Sequence, residues 1–324
     1  MKKNIAILAG GDSSEYEISI KSAKQVIKQI NGEKFTPFLV NVKGSDWHVE
    51  ISNNAKEKIN KDNFSFVFYG KTIEFDFAFI VIHGTPGENG ILQSYFDLLR
   101  IPYSTCSSFV SALTFNKYAT KLFLKEYNIP MAKHFFIRKG EPIDVKKIVM
   151  QTGLPCFVKP NNGGSSFGVS KVKELDELVP AIEKAFEEDF EVIIEEFIKS
   201  TELTCGVMKT KKNQYVLPIT EIVSKNEFFD YEAKYLGASE EITPARISPE
   251  VEIKCKELTS NIYDFLGCKG VVRIDFLLRD NQLYFMEINT VPGMSEASII
   301  PQQVAAEGLY LMDFFTELIE DCMQ

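Results

Sequence analysis

Apolar and polar positions alternate in two short runs late in the chain, Val271 to Phe276 and Tyr284 to Asn289, and this period of two predicts two strands. Arg279-Asp280-Asn281-Gln282 between them reads as a turn, so the strands form a hairpin. Arg273 and Asp275 then share one face of their strand, and Glu287 and Asn289 one face of theirs. A three-residue loop, Asp280 to Gln282, sets Asp275 opposite Glu287 and Arg273 opposite Asn289. Elsewhere the pattern alternates between strand and helix. Asn4 to Ala9 is a buried strand, a helix runs from about Ser19 to Ile30, and strands follow at Phe35 to Val42 and Phe75 to Ile82, with a helix from near Gly90. This order predicts a Rossmann-like parallel α/β domain over residues 1–104, with Gly10-Gly11 and His83-Gly84 at the carboxyl ends of its strands, where such sheets bind ligands. A middle unit, 105–194, holds a helix from Asn116 to about Tyr127, the strand Cys156 to Pro160, a glycine-bearing loop from Asn161 to Gly168, the strand Val169 to Val172, a charged helix from about Glu174 to Glu187 and a strand from Val192. A last unit, 195–324, holds strands near 203–209 and 214–222, a long loop from Ser224 to Pro244, a helix near 250–266, the hairpin and a terminal helix. The fold class is α/β (α+β) in three domains.

The hairpin carries the chemistry. Two carboxylates about 4 Å apart repel by about 4 kcal/mol at an effective dielectric near 20. A hard divalent cation removes that cost, and oxygen ligands from Asp275, Glu287 and Asn289 suit Mg²⁺, which also takes substrate phosphates. A solvated hairpin face is the alternative. The net charge of −9 and the lack of a long basic run argue against nucleic acid or an anionic membrane as partner. No run of 18 apolar residues occurs, and the apolar stretch after Lys2-Lys3 is too short for a signal peptide, so a cytoplasmic location is expected. Six scattered cysteines without a C-x-x-C pair read as reduced and buried.

Further candidates lie in loops and at strand ends. Asn162-Gly163-Gly164-Ser165-Ser166-Phe167-Gly168 follows the strand bearing Lys159 and leads into another strand, so it is not a P-loop; it reads as a phosphate-covering flap or as an ordinary hairpin loop. Lys117 and Lys159 can neutralise phosphate or be solvated surface lysines. Glu195, Glu196, Phe197, Ile198 and Glu202 sit where a strand leaves the middle unit, as a nucleoside-binding edge or an acidic connector. His83 to Gly90 reads as a substrate-contacting loop or a structural turn, and Glu15 as a ligand group or a helix N-terminal charge. Tyr231-Glu232-Ala233-Lys234-Tyr235 falls in the long loop, a lid or a solvated segment. Gly293 can offer a backbone N–H to an oxyanion and Ser298 can bind a carboxylate; a plain turn is the alternative for both.

In their order along the chain, Gly10-Gly11-x-Ser13-x-Glu15, His83-Gly84-Thr85-x-Gly87-Glu88-x-Gly90, Lys159-Pro160-x-x-x-Gly164-Ser165-Ser166, Tyr231-Glu232-Ala233-Lys234-Tyr235, Arg273-x-Asp275 and Glu287-x-Asn289-Thr290-x-Pro292-Gly293-Met294 resemble the D-alanine–D-alanine ligases of the ATP-grasp superfamily. The resemblance implies a three-domain ATP-grasp architecture, cytoplasmic, with a homodimer as its assembly. It implies ATP and two Mg²⁺ ions, for which Mn²⁺ can substitute, one held by Asp275 and Glu287 and the other by Glu287 and Asn289. Lys117, Lys159 and Ser166 are then phosphate ligands, and Glu195, Glu196, Phe197, Ile198 and Glu202 nucleoside ligands. The implied reaction joins two D-alanines through an acyl phosphate, releasing ADP and phosphate, and supplies the peptidoglycan dipeptide. Glu15 would hold the first substrate's ammonium, Arg273 and Gly293 the tetrahedral oxyanion, and Ser298 with Lys234 the second substrate's carboxylate. Ser165 and Tyr235 would join Glu15 in a network that excludes water, and His83 lines the same site. Glu296-Ala297 and Asn161-Asn162 depart from the residues common in such relatives. Ligases that take D-serine or D-lactate second, other ATP-grasp carboxylate–amine ligases, and a nucleotide-binding regulator without turnover are the rivals.

Overall fold

A computed structural model describes residues 2–52, 55–164, 167–224 and 239–324. The chain opens with β1 (Lys3–Gly10), α1 (Tyr16–Gln29) and β2 (Phe35–Lys43). Four short strands follow, β3 (Asp46–Ser52), β4 (Ala55–Lys58), β5 (Ser65–Phe68) and β6 (Lys71–Glu74), then β7 (Phe77–Ile80) and α2 (Ile91–Leu99). The first sheet runs β4-β3-β2-β1-β7. β1 is parallel to both β2 and β7, as the strand–helix alternation requires, but β3 and β4 extend the sheet antiparallel. The expected parallel sheet is therefore a mixed one, because Gly44-Ser45 turns the chain back directly after β2 instead of feeding a crossover helix.

α3 (Ser108–Phe115) and α4 (Lys117–Lys125) lead into a four-stranded antiparallel sheet of β8 (His134–Arg138), β9 (Cys156–Pro160), β10 (Ser170–Val172) and β11 (Glu191–Glu196), covered by α5 (Val145–Thr152) and α6 (Leu178–Glu188). Asn116 ends α3 and caps α4, its side chain accepting from the Ala119 N–H, which fixes Lys117 at the first helical position.

The third sheet joins β12 (Thr201–Lys209), β13 (Gln214–Val216), β14 (Thr220–Ser224), β15 (Ser239–Ile242), β16 (Val271–Arg279) and β17 (Gln282–Asn289). Part of the segment expected as a loop up to Pro244 is thus strand, pairing Glu221 with Ile242 and Val223 with Glu240. α7 (Pro249–Leu266) carries boundary signals at both ends: Ser248 caps it, proline opens it, Glu250 and Glu252 fill its first turn, and Gly267 ends it in a left-handed conformation. α8 (Ile299–Ala306) and α9 (Leu311–Cys322) close the chain where one terminal helix was expected.

The described residues form four apolar cores, one of which crosses the whole chain. Ile5, Ile7 and Phe79 of the first sheet pack with Met294, Ile300, Phe315 and Ile319. Burying large apolar side chains contributes about 1.5–3 kcal/mol each. This shared core fixes the glycine-rich ends of β1 and β7 against the end of β17.

Candidate functional site

The hairpin aligns as expected by a different construction. Asp280 and Asn281 both have positive φ and form a two-residue turn, pairing Arg279 with Gln282. That turn alone would set Asp275 opposite Met286. A bulge between Asp275 and Phe276 shifts the ladder by one residue, so Asp275 faces Glu287 and Arg273 faces Asn289. Arg273 binds Asp275 through two bonds, Nε to Oδ1 and an NH2 to Oδ2, each 2.9 Å. Asn289 Nδ2 also donates to Asp275 Oδ2 at 2.9 Å, and the Thr204 hydroxyl to Oδ1. Asn289 commits its amide nitrogen to Asp275, so its carbonyl oxygen is the atom it can offer to a cation. Two carboxylates and one amide oxygen on adjacent strands form a hard donor set, and it fits Mg²⁺.

Thr204 was not singled out in the sequence. Its carbonyl accepts from Gln303 Nε2, which also donates to Thr220 Oγ1, while Gln303 Oε1 accepts from the Gly206 N–H. A Cβ at Gly206 would stand 2.6 Å from that oxygen, so the close approach requires glycine. One fully buried glutamine thus holds the strand that holds Asp275.

A cavity of about 1230 Å³ opens beside the hairpin. Glu15, Lys117, Lys159, Glu195, Glu202 and Glu287 line it, as do Glu196, Phe197 and Ile198, so three sheets contribute to one space. Glu195 is buried between two lysines, with Lys121 at 2.7 Å and Lys159 at 2.5 Å. Burial pushes its carboxyl up, but the two cations outweigh that and hold it well below the usual carboxylate range. Lys159 is lowered by burial and raised more by Glu195, then by Glu287 and Glu202, for a net rise. Lys121 escaped the sequence reading. Its signal is the four-residue spacing from Lys117, which puts both on one face of α4. The Glu196 and Phe197 N–H groups donate to the Lys133 and Pro155 carbonyls, so these two amides are spent inside the protein. Lys117 Nζ donates to the Gly163 carbonyl and holds the glycine-bearing loop near Glu15.

His83, Arg273, Asp275, Asn289, Gly293 and Ser298 lie off the cavity lining. His83 is buried, donates from Nδ1 to the Val291 carbonyl at 2.8 Å, and has no partner at Nε2 among the described residues. Burial lowers its pKa, so the ring is neutral and Nε2 is an acceptor. Ser298 Oγ accepts from the Ser295 N–H and shares a hydrogen bond with Ser295 Oγ. A Cβ at Gly293 would stand 2.8 Å from Ser298 Oγ, so the two residues are packed together. Ser165, Ser166, Lys234 and Tyr235 lie outside the described residues.

Glu88 is a further residue not assigned a role from sequence. It accepts from the Gly84 N–H at 2.7 Å, and burial followed by repulsion from Glu15 pushes its pKa up to about 8. A carboxyl raised in the folded state stabilises it fully below the ordinary value of 4.5 and loses that contribution as pH rises through 8. Glu88→Gln cannot ionise and keeps an acceptor oxygen. Its melting temperature is expected to gain on the wild type between pH 5 and 8. Parallel melting curves across that range would remove Glu88 from this account.

Comparison with known proteins agrees with the geometry. Residues 4–106 match the family profile described as "D-ala D-ala ligase N-terminus", and residues 123–320 match "D-ala D-ala ligase C-terminus". A D-alanine–D-alanine ligase from Phocaeicola vulgatus is 52% identical over 322 residues, covering 99% of both chains. Among solved structures, the VanG D-Ala:D-Ser ligase from Enterococcus faecalis superposes with TM-score 0.89 at 32% identity, covering 99% of this chain and 100% of that one. The Bacillus anthracis D-alanine–D-alanine ligase complexed with ATP superposes with TM-score 0.78 at 28% identity, covering 99% and 97%. The fold is that of the ATP-grasp proteins. Within that class, the chain belongs to the D-alanine–D-alanine ligase family.

Proposed function

We propose that the protein joins two D-alanines to D-alanyl-D-alanine, consuming ATP and releasing ADP and phosphate, for peptidoglycan precursor synthesis. The observation that carries this reading is the pairing of Asp275 with Glu287 and of Arg273 with Asn289 beside the lysine-lined cavity, in a chain 52% identical to a D-alanine–D-alanine ligase.

Asp275, Glu287 and Asn289 would hold two Mg²⁺ ions, which, when bound, neutralise triphosphate charge. Lys117 and Lys159, with Ser166 of the loop, would bind phosphate oxygens. With the Glu196 and Phe197 amides spent, the remaining backbone groups of Glu196 to Ile198 would receive adenine, and Glu202 would bind ribose. Glu195 then acts by holding Lys159 in place while it borders the nucleoside. The first D-alanine's carboxylate attacks the γ-phosphate, giving an acyl phosphate. Both partners are anions, so cancelling their repulsion is the main demand on the site. Glu15 would hold that substrate's ammonium, and the neutral His83 offers Nε2 as a second acceptor. The second D-alanine's amine attacks the acyl carbon, Arg273 and the Gly293 N–H would bind the oxyanion, and phosphate leaves. Ser298 and Lys234 would take the second carboxylate, with Ser165 and Tyr235 helping to exclude water.

Three units, 1–104, 105–194 and 195–324, form this reading's domains, and it includes a homodimer and a cytoplasmic location. Among the described residues no helix is long and apolar enough to cross a membrane.

Phosphate release with ATP and Mg²⁺ is expected with D-alanine and not with L-alanine, and D-serine or D-lactate as second substrate should be turned over far more slowly. Faster product formation with D-serine than with D-alanine would move the protein to a different substrate class.

A further inference from the structure

Gln302 joins two stretches of the site that lie far apart in the chain. Its side-chain amide donates to Glu241 Oε2 at 2.7 Å and to the Ala297 carbonyl at 2.9 Å. Glu241 stands on β15. Ala297 belongs to the turn that ends at Ser298, the residue before α8. In register, Glu241 pairs with Ile222 and Ile222 with Glu202, so Glu241 shares the sheet face of Glu202, Thr204 and Asp275. Its carboxyl also feels the charge of Arg273. Both amide hydrogens of Gln302 are therefore committed, one to a sheet edge and one to a turn.

We propose that Gln302 is a positioning residue for the second amino acid: it bolts β15 to the 295–298 turn, so the sheet edge at 239–242 and the carboxylate-binding Ser298 are held at one spacing. The inference rests on the reading that Ser298 receives the second substrate's carboxylate. Leucine at 302 keeps the bulk and removes both donors. Glutamine at 241 keeps an acceptor oxygen and removes the charge, so it preserves the bolt.

The two sites for D-alanine give separate KM values, and hydrogen–deuterium exchange reads β15 directly. Gln302→Leu is expected to raise the KM of the second D-alanine by about tenfold, as loss of two hydrogen bonds allows. The KM for ATP and kcat should stay within about twofold. Exchange over 239–242 should quicken. Glu241→Gln should behave as wild type, and Glu241→Leu as Gln302→Leu. An unchanged second KM in Gln302→Leu, or an equal rise in every KM with a lowered melting temperature, would overturn the proposal. Unchanged exchange over 239–242 would overturn it even if the wild type proved inactive with D-alanine, whereas that inactivity alone would strike only at the ligase reading.

Discussion

Glu287→Gln is expected to lower turnover about 10³-fold or more, because one carboxylate oxygen is lost where triphosphate charge must be neutralised. The substitution keeps shape and hydrogen-bonding capacity, and Glu287 is only part-buried on β17. Without metal, it also relieves the opposition of Glu287 to Asp275, so the metal-free melting temperature should be unchanged or higher. Two measurements separate the readings. Steady-state phosphate release gives the catalytic loss. Calorimetric titration of ATP with and without Mg²⁺ should show that the variant loses the cation-dependent part of binding. Retained turnover, or unaltered Mg²⁺ dependence of ATP binding, would remove Glu287 from the metal site.

Glu195→Gln is expected to have the largest effect on stability. Glu195 and Lys121 have side chains only 6% and 2% exposed, and Lys159 shares the same carboxylate. A neutral amide removes the counter-charge that Lys121 has among the described residues and leaves it charged and buried, and breaking such a pair costs about 3–5 kcal/mol. The pH dependence has a definite sign. Glu195 is depressed in the folded state, so its contribution is present above the ordinary value of 4.5 and is lost as pH falls through its folded value. Urea unfolding at pH 7 should show the full difference between wild type and variant, and the difference should shrink on strong acidification. Equal stability at pH 7 would mean that water reaches Lys121.

The sequence made α7 plain, since Ser248, Pro249 and Gly267 are local signals that need no tertiary context. It also revealed the facing pairs of the hairpin, but through a loop of the wrong length. Asp280 and Asn281 form a shorter turn, and the bulge beside Asp275 restores the register. Alternation of side chains reveals faces, whereas a bulge depends on twist and neighbouring strands. β3 to β6 were not legible because each is a short strand beside a turn, and polar segments such as Ala55–Lys58 carry no apolar alternation. Lys121 reads in sequence as one more helical lysine; only Glu195, from a strand over 70 residues later, makes it a buried ion. Thr204 and Gln303 gave no signal at all, because their importance lies in a bonding chain that closes across three elements.

The core shared by Ile5, Ile7, Phe79 and Phe315 constrains how the molecule can be made. Ribosomes add roughly 5–20 residues per second, so the first sheet, covered early by α1, waits for tens of seconds before the C-terminal helix that completes its cover is synthesised. Throughout that interval an apolar surface faces the nascent-chain environment, ready for a chaperone or for another unfinished copy. The first sheet should therefore acquire its final rigidity late in biosynthesis, although it is translated first.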